Sequence, residues 1–130
     1  MKLTIPYPPS LNHYYRRVGS RTLISREGRE YRRAICGLLA CGNGRIRKPP
    51  AGGRIALAMD AFPPDLRRRD LDNLLKCTQD SLAQAGVYED DSQIDLLLTR
   101  RRAVVPGGRL DVQVIDMPLR QCPICGAEMN

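Results

Sequence analysis

The residue types best suited to chemistry are gathered in Arg67-Arg68-Arg69-Asp70-Leu71-Asp72-Asn73-Leu74-Leu75-Lys76. If residues 70–72 are extended, the side-chain period of two places both carboxylates on one side and turns Leu71 toward a core, a geometry suited to a shared cation. On a complete helix the two would point apart, so this reading requires the helix to begin at or after Asp72. Asp72 is itself a good N-cap, which supports that start and also supplies a purely structural reason for the residue. Lys76 stands one helical turn further on and would aim an ammonium at the same place. A third acidic group, Glu89-Asp90-Asp91, follows Gly86. A helix over 73–85 covers about 20 Å and five extended residues recover about 17 Å, so Asp91 can just return to Asp72. Three oxygen donors with no neighbouring His or Cys favour a hard ion, Mg²⁺ or Mn²⁺, over Zn²⁺. In phosphodiester hydrolysis such an ion activates water and neutralises developing charge, while the arginines hold the phosphate backbone.

Two aspartates spaced by one residue are, taken alone, more often a cap and turn than a metal site. They also occur as the metal-binding pair of nucleotide-sugar glycosyltransferases, whose folds are far longer than 130 residues. The arginine triplet, Lys76 and the distal acidic cluster move the balance toward metal-assisted hydrolysis.

Charge is segregated along the chain. Residues 1–59 hold twelve Lys or Arg against Glu27 and Glu30, a net of +10, whereas residues 60–130 hold nine basic and twelve acidic residues, a net of −3. A cationic half fits a polyanionic partner, and an acidic half fits local metal or proton chemistry. Eighteen of the 21 basic residues are Arg. That bias accords with a GC-rich genome, but also with bidentate phosphate binding, which Lys cannot reproduce. No apolar run approaches the roughly 20 residues that span a bilayer, and residues 1–9 lack a targeting pattern, so the expectation is a cytoplasmic protein with no membrane partner.

The expected elements are a strand over 2–7, a polar loop from Ser10 to about Ile24, a helix capped by Ser25 and running to about Cys41, a strand over 54–62, a second helix stopped by Gly86, and strands over 94–105 and 109–115. Pro106, Gly107 and Gly108 suggest a hairpin between the last two. The order β-α-β-α-β-β predicts an α+β fold with a single mixed β-sheet carrying helices. Residues 1–118 form one domain in this reading, and 119–130 a tail. Five cysteines and no secretion signal favour free thiols. The tail sequence Cys122-Pro123-Ile124-Cys125-Gly126 looks like half of a zinc knuckle, to be completed by Cys36 and Cys41 or by a second tail across a dimer. Cys77 reads as a small core residue.

Pro8-Pro9-Ser10, Asn12, Tyr14-Tyr15-Arg16, the Arg67 to Asn73 motif, Ala85-Gly86-Val87, Asp90-Asp91 and Gly107-Gly108-Arg109-Leu110 together resemble the RusA family of Holliday junction resolvases, over about residues 3–117. The resemblance implies a homodimer that binds four-way DNA junctions and makes paired symmetric nicks with Mg²⁺. It implies that Asp70, Asp72 and Asp91 bind the metal, with Lys76 and Asn73 in support. A twofold enzyme would present matching sites to two equivalent strands. The basic helix, Arg67, Arg68 and Arg69, and the loop residues Asn12, Tyr14, Tyr15, Arg16 and Arg17 would then contact DNA, with His13 as a loop or phosphate contact rather than a catalytic base. For Tyr14 and Tyr15, stacking on unpaired bases and packing in the core stand equally open. The reading from another class is a protein that binds branched DNA without cutting it.

Overall fold

The computed structural model describes residues 1–42 and 48–128. Its elements are β1 (Lys2–Pro6), α1 (Leu11–Tyr14), β2 (Tyr15–Val18), β3 (Arg21–Ile24), α2 (Arg26–Cys41), β4 (Ile55–Phe62), α3 (Leu75–Gln84), β5 (Ile94–Arg101) and β6 (Arg109–Asp116). The principal sheet has the order β1-β6-β4-β5, antiparallel except for the parallel pair β4–β5. This is the expected mixed sheet. A parallel neighbour requires a crossover, and α3 supplies it, packing with α2 over a core that includes Ile35, Leu57, Met59, Leu82, Leu110 and Val112. Among the described residues no helix is long and apolar enough to cross a membrane.

Several boundaries follow from local chemistry. Ser25 caps α2 by accepting from the Gly28 N–H at 3.0 Å, and Tyr31 and Ile35 turn inward while Leu38 is half exposed. Gly86 stops α3 at φ +80°, after which the Val87 N–H returns to the Leu82 carbonyl at 3.0 Å. Cys77 is fully buried, as expected.

Two expectations fail. The segment after Ser10 is not a plain loop: α1 and the hairpin β2–β3 form there, turning at Gly19 with φ +61°. The hairpin's residues lack apolar alternation because three of the four in each strand are exposed, so the pattern that reveals strands is missing. Nor do β5 and β6 form a hairpin, since β4 lies between them. The chain leaving β5 crosses the end of β4, with the Arg102 N–H on the Ala61 carbonyl and the Val105 N–H on the Pro63 carbonyl, before it turns at Gly107 and Gly108.

The tail folds back as well. The Met117 N–H bonds the Arg54 carbonyl, Leu119 is buried, and Gln121 bridges Glu128. Pro123 thereby lines a depression on the sheet with Lys2, Thr4, Asp60 and Asp111.

Candidate active site and nucleic-acid interface

Leu71 is already helical, at φ −65° and ψ −33°, and a short 3₁₀ turn over Asp72–Leu74 leads into α3 with no side-chain cap. Asp72 is therefore not the N-cap, and the extended geometry that would align Asp70 with Asp72 is not adopted. The turn is held by the Asn73 N–H on the Asp70 carbonyl at 3.3 Å, the Leu74 N–H on the Leu71 carbonyl at 3.4 Å and the Leu75 N–H on the Asp72 carbonyl.

Asp70 lines a groove of about 690 Å³ together with Arg67, Arg68, Arg69, Asn73 and His13. Asp91 lines a second depression, of about 390 Å³, with Arg32, Lys76, Asp80, Glu89 and Asp90. Asp72 lines neither. Among the described residues no three His, Cys, Asp or Glu side chains converge on a point that could hold a metal. The single chain thus presents the three carboxylates without gathering them.

Their surroundings nonetheless set them apart. Asp60, Asp65, Asp80, Asp90, Asp95 and Asp111 each accept a hydrogen bond from an Arg, Lys, Tyr, Thr or backbone N–H, and Asp116 is engaged too. Asp70, Asp72 and Asp91 are exposed, and none of their three carboxylates makes a hydrogen bond or salt bridge to a described residue. Three unneutralised carboxylates are the donor chemistry a hard divalent cation requires. Asp90 is no substitute for Asp91, because its carboxylate caps the turn Asp91–Gln93 by accepting from the Ser92 N–H at 2.8 Å. Gln93 completes that capping box: its side-chain oxygen accepts from the Asp90 N–H at 3.4 Å and also from the Glu89 N–H at 2.8 Å, and its amide donates to the Gly53 carbonyl at 2.8 Å.

Lys76 does not turn back toward Asp72. Its Nζ donates to Asp80 at 3.1 Å, and the other Asp80 oxygen accepts from the Tyr15 hydroxyl at 2.6 Å. The hydrogen bond and the charge of Asp80 raise the Lys76 pKa, with a smaller contribution from Asp91. Burial, followed by the Asp80 bond, raises that of Tyr15. Asp80 is thus a site residue that sequence reasoning missed. Its spacing of four from Lys76 was a usable signal; its contact with Tyr15, 65 residues away, was not.

The DNA-contact candidates separate by exposure. Asn12, His13, Arg16, Arg17, Arg67, Arg68 and Asn73 reach solvent. Tyr14 does not: its ring is fully buried, its hydroxyl accepts from Arg32 Nε at 2.6 Å, and it packs edge-on against Tyr15 at 4.7 Å. Of the two alternatives it takes the core, which corrects its inclusion among DNA contacts. Tyr15 is partly buried and tied to Asp80. Arg69 is pinned by Asp65, Nη2 to Oδ2 at 3.0 Å, and this pairing holds the Asp65 carboxyl down at about 2. In the tail, the backbone N–H groups of Cys125 and Ile124 face the Cys122 sulfur and hold its thiol below the ordinary range. Cys36 and Cys41 do not join it in a group of three or more ligands.

A small basic α+β domain whose cationic groove is lined by the exposed carboxylate Asp70 fits, on charge and site chemistry, among nucleic-acid-processing proteins. Comparison with known sequences makes the class specific. The family model for Endodeoxyribonuclease RusA matches residues 6–115, and the chain belongs to that family. It is 41% identical over 116 residues to the "Crossover junction endodeoxyribonuclease rusA" of Enterobacteria phage HK97, covering 89% of this chain and 94% of that relative. It is 36% identical to the protein of the same name in phage 82, covering 88% and 93%. The Escherichia coli K12 protein of that name is 36% identical over 117 residues, again covering 88% and 93%. The chain is accordingly an endodeoxyribonuclease, an enzyme that hydrolyses DNA phosphodiesters.

Proposed function

We propose that this enzyme resolves four-way DNA junctions by paired, symmetric nicks, acting in the cytoplasm as a homodimer with Mg²⁺ bound by Asp70, Asp72 and Asp91, and with Mn²⁺ able to substitute. The observation that supports the site assignment is the division of the aspartates: among the described residues the carboxylates of these three accept no hydrogen bond and form no salt bridge, whereas the other seven aspartates are engaged. When bound, the metal supplies an activated water and a counter-charge for the phosphorane. The chain's own residues do the rest. Arg67 and Arg68 hold the strand by its phosphates, Arg16 and Arg17 on the hairpin extend the backbone contact, and Asn73 donates to a phosphate oxygen. Lys76, kept charged and steered by Asp80, sets a positive end beside Asp91 where charge develops during cleavage.

The test is cleavage of a synthetic four-way junction, with linear duplex and flap controls, by the wild type and by Asp70→Asn. Cleavage should require a divalent metal and vanish in the variant, while junction binding is kept or strengthened because a carboxylate near phosphate has been removed. A wild-type protein that binds the junction with Mg²⁺ and leaves it intact would reduce this reading to branched-DNA binding.

A further inference from the structure

The tail beyond residue 115 lies outside the span matched by the nuclease family, and the proposed cleavage makes no use of it. It is nonetheless built. The Gln121–Glu128 bridge closes a small hairpin, the Cys122 N–H bonds the Ala127 carbonyl at 2.7 Å, and the Gly126 N–H bonds the Cys122 carbonyl at 2.8 Å. Gly126 sits at φ +76°, a conformation that favours glycine. The reversal brings Cys122 and Cys125 to one tip with the backbone N–H groups of Ile124 and Cys125 aimed at the Cys122 sulfur. Two thiols separated by two residues, on a turn whose amides face one sulfur, form one half of a tetrahedral thiolate site. Leu119 anchors the base of the hairpin in the core, and Ile124 at the tip is 67% exposed.

Among the described residues no third Cys, His, Asp or Glu joins the pair, and the residues outside that set, 43–47 and 129–130, contain no Cys or His. Four-coordinate zinc needs two further donors, and the identical hairpin of a second copy offers a matching pair related by a twofold axis.

We propose that Cys122 and Cys125 bind one Zn²⁺ jointly with the same two cysteines of a second copy, a tetrathiolate site that links two chains through their tails. Four thiol protons leave as each zinc enters, so occupancy falls in acid. Ile124 of each tip would cover the site from solvent.

The full-length protein, purified without chelator, should carry one zinc per two chains by elemental analysis. Native mass spectrometry should find that zinc only in the dimer. Cobalt substitution should give the visible and charge-transfer bands of tetrahedral Co²⁺ bound by four thiolates. Cys122→Ser and Cys125→Ser should each abolish the metal and keep the wild-type circular dichroism, whereas the double variant Cys36→Ser/Cys41→Ser should keep the metal. One zinc per chain, zinc that survives Cys122→Ser, or no zinc with Cys122 and Cys125 joined as a disulfide would each overturn the proposal. None of these readouts depends on DNA cleavage, so they stand or fall apart from the nuclease assignment.

Discussion

Asp80→Asn is the sharpest probe of how the site is held together, because Asp80 joins the helix that carries Lys76 to the hairpin that carries Arg16 and Arg17. Its two contacts are unequal. The Lys76 pair is an i, i+4 contact between side chains 56% and 20% exposed, a type that stabilises by about 0.3–0.5 kcal/mol. The Tyr15 bond, at 2.6 Å and part-buried, is charge-assisted, a class that contributes about 1.5–3 kcal/mol. Asn keeps one acceptor oxygen and so retains a neutral bond of about 1 kcal/mol. The net loss is about 1–2 kcal/mol, which for a domain of this size lowers Tm by roughly 3–10 °C.

The same change acts on catalysis. Asp80 raises the Lys76 pKa above its ordinary 10.5. A group raised on folding contributes stability below its unfolded pKa and loses it as pH climbs through the folded value. The Lys76 share of the Tm difference is therefore constant through neutral pH and fades only in strong alkali. If the ammonium is the working form, the variant's alkaline limb of cleavage moves to lower pH. Single-turnover cleavage of a four-way junction across pH, with junction affinity measured alongside, separates the effects. The expected result is a rate about tenfold lower, equivalent to 1.4 kcal/mol, with a smaller change in affinity. An unshifted alkaline limb together with an unchanged Tm would show that Asp80 positions neither Lys76 nor the hairpin.

Gln93→Leu should strand the Glu89 N–H and the Gly53 carbonyl, which Gln93 now satisfies from a buried position. The expected cost is about 2–4 kcal/mol in urea denaturation, with metal-dependent cleavage weakened because the turn bearing Asp91 loses its cap; unchanged stability would refute the role. Asp65 gives a pH signature: Arg69 holds its folded pKa at about 2 against an ordinary 3.8, so its stabilisation is present above 3.8 and lost as pH falls toward 2. Urea midpoints taken between pH 5 and 2 should fall less steeply in Asp65→Asn than in the wild type, and parallel curves would contradict the pairing.

What could be read from the sequence was whatever depends on neighbours along the chain. Ser25, Gly86 and the apolar run of β4 each act through residues a few positions away, and each behaves as expected. The alternation of helices and strands also gave the mixed sheet, because a parallel pair requires the crossover that α3 provides. Strand order is a different kind of information. The turn at Gly107 and Gly108 is real, but whether β6 lies beside β5 or beyond β4 depends on contacts far apart in sequence, such as Arg102 on Ala61. The β2–β3 hairpin was hidden because its strands are mostly exposed and carry no alternating signal. At the candidate site the structure differs from the local geometry expected of the motif: the helical conformation begins at Leu71 and removes the extended arrangement that would have aligned Asp70 with Asp72.

That departure indicates which part of the site must yield when a cation binds. Asp91 is fixed from both sides, by the Asp90 cap and by the three contacts of Gln93. The turn carrying Asp70 and Asp72 has no side-chain cap, and two of its backbone hydrogen bonds measure 3.3 and 3.4 Å, near the limit at which such bonds retain strength. Exposed carboxylates repel one another until a counter-charge arrives, so without metal nothing draws Asp70 and Asp72 toward Asp91. Binding a divalent ion reverses the sign of that interaction, and the weakly tied turn rather than the capped one is free to respond. On the proposed assignment the motif encodes its ligands by charge and leaves their convergence to the metal, which the extended-strand argument alone does not supply.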